Sequence, residues 1–230
     1  MRWYYAVAVA VLVALSGCAT SGGLGNFGAE TGVRETPAGT VRVPYTSVIS
    51  YYGYAEPGAQ PDAVLNGRDH WFIYLWVPAV APEVGVRMIS PVPEGTEPQE
   101  GDFVAASYAD GSATDPDTFF DTWIALERAT AIVNPGDIRD AIATTPWLTL
   151  ASNDDSSEMP PQPSGSQYNS LLRVTADAEP LVRGLYRIAF TTYRSGPVQG
   201  TFLAQVGAPI ELPGTVVARD IETLLAAIEE

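Results

Sequence analysis

The sequence predicts an all-β protein: a jelly-roll β-sandwich with short peripheral helices and a C-terminal helix. Three observations carry that expectation. Short runs of aromatic and β-branched residues recur along the chain, separated by clusters of Pro, Gly, Asp and Ser, which is how strands and turns are written. Several runs alternate apolar and polar residues with a period of two, as half-buried strands do. Helical signals are confined to two short stretches near 134–146 and 218–228, too little to form a helical layer. They belong at the corners of a single sandwich of eight or nine strands.

The chain opens on Met1-Arg2 and Trp3-Tyr4-Tyr5, followed by an apolar run over 6–15. A basic start followed by an apolar run too short to span a bilayer reads as an export signal, here residues 1–17. It ends in Leu15-Ser16-Gly17-Cys18, a bacterial lipobox. Cys18 is then the lipidated N-terminus of the mature chain and its link to the membrane. It is the only cysteine in the sequence, so no disulfide framework is available. Ala19 follows it, where an aspartate would favour the inner membrane, so delivery to the outer membrane is expected. Residues 18–40, rich in Gly, Thr and Ser, read as a flexible tether. The remaining chain, 41–230, reads as one domain.

Within that domain, residues 47–54 form the first expected strand, stopped at Pro57-Gly58. Residues 71–77, Trp-Phe-Ile-Tyr-Leu-Trp-Val, are apolar on both faces and belong at the centre of a sheet. Further strands are expected over 84–90 and 103–108. The run 119–129 is expected to place Ile124 and Leu126 on one face and Trp123, Ala125 and Glu127 on the other, with Ile132 and Val133 continuing its edge. Asn134 and Pro135 supply an N-cap and a first helical position, and Ile138 and Ile142 share a face of a short helix closed by Pro146. A long Asp/Ser/Pro/Gln loop is read over 151–167. Strands resume over 170–175, 184–193 and 201–206. Ile221, Leu224, Leu225 and Ile228 then follow helical spacing.

Composition excludes several chemistries. All 12 basic residues are Arg, against 27 acidic ones; removing Arg2 with the signal leaves 11 against 27, or −16. Such a surface repels nucleic acid. Without lysine there is no P-loop and no Schiff base. His70 is the only histidine, which excludes a multi-histidine zinc site, and no nucleophile elbow accompanies it. A paired-carboxylate hydrolase stays open, although no spacing singles out a pair. Trp71, Tyr74, Trp76 and Trp123 read as core or as a row for a carbohydrate-binding jelly roll.

Asp121 stands before the apolar part of its strand, where a charge needs a partner. Calcium takes six to eight oxygens from carboxylates, hydroxyls, carbonyls and water. Asp121, Thr122, Asp154 and Asp155 offer such a mixture, and a carbonyl near Tyr168 adds another. From spacing alone, a solvated acidic loop is the simpler reading.

The stretches PYTSVISYYGYAEPGAQPD at 44, VPAVAPEVGVRMISP at 77, FFDTWIALERATAI at 119, YNSL at 168 and LVRGLYRIAFTTYRSG at 181 together resemble the major surface lipoprotein family of pathogenic leptospires, the haemolysis-associated outer-membrane lipoproteins. The resemblance runs from 44 to about 206. It implies a non-enzymatic, calcium-binding jelly roll on an outer-membrane lipid anchor, with extracellular-matrix or other extracellular proteins as partners. It also implies the metal ligands: Asp121, Thr122, Asp154, Asp155 and Tyr168 through its carbonyl. The chain departs from the family pattern in two places. The acidic loop thins to Asn153-Asp154-Asp155-Ser156-Ser157, and the C-terminal tail is short and acidic instead of long and lysine-rich.

Overall fold

The computed structural model describes residues 33–36, 39–42, 45, 47–58, 60–103, 118–175, 178 and 181–229. The signal segment, Cys18 and most of the strand expected over 103–108 lie outside the described residues. Phe103 is inside them and makes a parallel bridge to Gly53.

Twelve strands are described. A two-stranded ribbon, β1 (Val33–Thr36) and β2 (Gly39–Arg42), stands apart. It falls inside the stretch read as a tether, so part of that stretch is paired backbone. The other strands are β3 (Ser47–Ala55), β4 (Ala63–Leu65), β5 (Arg68–Ala81), β6 (Glu83–Ile89), β7 (Thr122–Ala129), β8 (Trp147–Asn153), β9 (Ser170–Thr175), β10 (Leu181–Thr192), β11 (Gly200–Ala208) and β12 (Val216–Ala218). They form a sheet in the order β12-β5-β10-β7-β8, with β4 hung on β5, and a second sheet in the order β3-β11-β6-β9.

The pairing makes this a jelly roll. β3 pairs β11, β5 pairs β10, β6 pairs β9 and β7 pairs β8, all antiparallel. These are nested rungs of one long hairpin. Successive rungs alternate between the two sheets, and β11–β6 and β10–β7 join the rungs that share a sheet. The rolled hairpin is the jelly-roll form of two Greek keys.

Alternation decides what lies between the sheets. From β5, Trp71, Ile73, Leu75 and Val77 enter the core. Ile124 and Leu126 join them from β7, and Ile188 and Phe190 from β10. Phe202 lies across Gly53, where a Cβ would sit 2.0 Å from its ring. The opposite face of the larger sheet is closed at one end by a second cluster of Trp76, Leu185, Ile132 and Ile138 with Leu224 and Leu225. The two leucines come from α2 (Ile221–Glu229), the expected C-terminal helix. Asp220 caps it, accepting from Thr223 N at 2.9 Å and Thr223 Oγ1 at 2.8 Å.

Three local expectations change. Ile132 and Val133 do not extend β7; Ile132 leaves the strand to fill the second cluster. The helix after Asn134 is a 3-10 turn over Pro135–Asp137 followed by α1 (Ile138–Ala141), and Asn134 makes no side-chain cap. The long loop begins only after Asn153, because Trp147–Asn153 is an edge strand on β7.

Candidate metal site at the β7–β8–β9 corner

Antiparallel pairing of β7 and β8 sets Ile124 opposite Asn153. The residues that precede β7 and those that follow β8 therefore lie side by side. Asp121 and Thr122 come from the first, Asp154 and Asp155 from the second. Tyr168 arrives from the other sheet, just ahead of β9.

Thr122 locks the corner. It is fully buried, its backbone N donates to Tyr168 O at 3.1 Å, and its Oγ1 lies 2.9 Å from the same carbonyl. Ser170, also fully buried, places its hydroxyl 2.7 Å from Thr122 Oγ1, 2.8 Å from Thr122 O and 2.6 Å from Asp154 O. Two hydroxyl hydrogens face three carbonyls, so at least one carbonyl keeps a lone pair free of these hydroxyls. Ser170 is therefore the residue that ties β7, β8 and β9 together. The Tyr-Asn-Ser segment contains it in plain view, but a serine at a strand start carries no signal of its own.

Asp121 is the strained member. Its backbone carbonyl accepts from Thr192 Oγ1 at 2.9 Å and Tyr193 N at 3.0 Å, which fixes the main chain. Its Oδ1 is buried and has no hydrogen-bond partner. Burial, then the charges of Asp155 and Asp154, push the carboxyl up from 3.8 to about 6, against a smaller opposing pull from Arg194. Burial and Asp154 also raise Asp155. The structure thus brings Asp121, Thr122, Asp154, Asp155 and the Tyr168 carbonyl into one neighbourhood. It does not gather the acids into a cage: among the described residues, no three His, Cys, Asp or Glu side chains cluster as metal ligands. The donor set is a mixture of carboxylates, hydroxyls and carbonyls, which is the chemistry of a calcium site, and the orphaned Asp121 oxygen fits a cation.

The loop after β8 is held by residues the sequence did not single out. Gln162 is buried and its Nε2 donates to Phe120 O at 2.8 Å. Asn169, also buried, accepts from Ser90 N at 3.1 Å and donates to Pro160 O at 2.6 Å. Met159 packs with Tyr45, Ile89 and Leu171. Three buried anchors hold this polar loop against the sandwich.

The other candidates separate clearly. Trp71 and Trp76 are 2% exposed and belong to the two cores. On the outer face of the larger sheet, Arg68 lies 4.4 Å from the centre of the Trp123 ring. Arg187 lies 4.4 Å from Phe72 and 4.3 Å from Trp147, and pairs with Glu127 at 2.5 Å. Guanidinium groups cover aromatic faces that a sugar would need. His70 is half-buried on the same strand, its Nδ1 2.9 Å from Arg68 O, and burial lowers its pKa. Among the described residues, no serine hydroxyl is hydrogen-bonded to it.

No individual curated protein matches the chain significantly. A family model does: residues 39–217 match Lipl32, described as the surface lipoprotein of the Spirochaetales order. That span covers the whole sandwich from β2 into β12, and with it every strand that builds the corner. The chain belongs to this family of spirochaete surface lipoproteins and is a lipid-anchored outer-membrane protein of the cell surface.

Proposed function

We propose that this lipoprotein is a calcium-stabilised binding domain, adhesin-like or structural in the envelope, and not an enzyme. Cys18 carries the lipid, and an extracellular or matrix protein is the partner. The observation that carries the calcium reading is the buried, unpartnered Oδ1 of Asp121, in a carboxyl raised to about 6 beside two further aspartates. A resident cation would remove that conflict. Asp121, Thr122, Asp154, Asp155 and the Tyr168 carbonyl would hold it. Calcium would neutralise the acids and join the ends of β7 and β8 to the start of β9. A raised carboxyl also suits a general acid, but the guanidinium-covered aromatic face offers no sugar platform beside it.

The test is thermal melting of chelator-treated protein with and without calcium, on the wild type and on Asp121→Ala. Calcium bound only by the fold should stabilise the wild type by about 2.7 kcal/mol at a hundredfold excess over Kd. Asp121→Ala should keep its β-sheet spectrum and lose the response. A wild type that melts at the same temperature in millimolar calcium would overturn the reading.

A further inference from the structure

The acidic corner lies at the end of the sandwich where β5 begins. The opposite end, where β5 finishes, holds a cavity of about 340 Å³ between the two sheets. Its walls are hydrocarbon: Ile49 and Val206 from one sheet, Leu75, Val77 and Val217 from the other, and Leu212 from the connection between β11 and β12. That volume is more than twice the roughly 150 Å³ that holds a benzene ring, enough for a chain of roughly eight carbons.

The polar groups are few and of one kind. Thr215 belongs to the lining, but its Oγ1 is buried away from the cavity space and offers an occupant no contact. Glu83 and Glu211 also line the cavity, and among the described residues no basic one does. Glu83 is fixed by the phenol of Tyr45, which donates to its Oε1 at 2.5 Å. Glu211 is exposed. A carboxylate arriving on an alkyl chain would meet like charges here, on a chain of net charge −15. A protonated amine would meet the exposed carboxylate of Glu211.

We propose that this cavity binds a linear alkyl amphiphile with a protonated amine head, the chain between the sheets and the ammonium toward the exposed carboxylate of Glu211. The site is separate from the acidic corner and needs no metal.

Octylamine, octanol and octanoate, each below its micelle concentration, are titrated calorimetrically into the full mature chain. Octylamine should bind with one site and at least tenfold more tightly than octanoate. Glu211→Gln should cut that preference to a few-fold. Val217→Trp should fill the cavity and abolish octylamine binding, and Leu212→Trp, on the loop side, gives the same test should the strand variant fold poorly. Absence of saturable octylamine binding would overturn the proposal. So would octanoate or octanol binding as tightly as the amine, or octylamine binding that survives both filling variants.

Discussion

Replacing Asp121 by asparagine isolates the electrostatic conflict at the corner without invoking a metal. The carboxyl moves from 3.8 to about 6 on folding, which at 1.36 kcal/mol per unit corresponds to about 3 kcal/mol. Asp121 is partly open to solvent, so screening reduces this to about 1–2 kcal/mol. Its folded pKa is raised, so the folded chain holds the proton more tightly than the unfolded chain does. Below about pH 4 both states are protonated and the group costs nothing. As pH rises from about 4 to 6 the unfolded state ionises first, and stability falls. Asparagine removes the charge, so metal-free Asp121→Asn should exceed the wild type by about 1–2 kcal/mol at pH 7.5. For a chain of this length that is a Tm higher by about 2–8 °C. The gap should close at pH 4. Thermal melts of chelated protein at both pH values measure it. An asparagine variant that melts at or below the wild type at pH 7.5, or an equal gap at pH 4, would refute the electrostatic argument.

Other perturbations follow from the same contacts. Thr122→Val should destabilise the fold by about 1–3 kcal/mol in urea titrations, because the buried Ser170 hydroxyl and the Tyr168 carbonyl each lose a partner. Gly53→Ala forces a methyl into the Phe202 ring, 2.0 Å away, and should cost about 1–3 kcal/mol by the same assay. Cys18→Ala should yield an unlipidated precursor that no longer partitions with membranes; membrane-bound, lipid-labelled protein from that gene would count against the anchor.

The strands buried on both faces or cleanly alternating were legible in the sequence. Trp71 through Val77 announces a central strand, and Ile124 and Leu126 turn inward as their spacing requires. β8 was not legible. It is an edge strand with Leu148 53% exposed and Leu150 and Ala151 only partly buried against the core, so its apolar pattern is weak, and its end blends into the Ser/Asp loop. β4 and β12, three residues each, are too short for any periodicity to register. At the corner, the acids and Thr122 could be read from residue type, and the family resemblance grouped them with Tyr168. What could not be read was burial. Only the fold shows that Asp121 Oδ1 is shut away from solvent and hydrogen bonds. Only the fold shows Ser170 bridging three strands, and Gln162 and Asn169 docking the loop. The aromatic row read as core or as a sugar platform: Trp71 and Trp76 are core, Arg68 covers Trp123, and Arg187 covers the neighbouring Phe72 and Trp147. Those guanidiniums come from distant strands and leave no local trace.

The central claim is that a cation relieves the Asp121 conflict. Its most direct test is calcium calorimetry on chelated wild type at pH 7.5 and pH 5. At pH 7.5 the account predicts one site with Kd on the order of 10⁻⁶ to 10⁻³ M, and magnesium substituting poorly. At pH 5, with Asp121 protonated below its value of about 6, affinity should fall about tenfold, because calcium and the proton compete for one carboxylate. No binding heat at pH 7.5, or an affinity unchanged between the two pH values, would contradict it.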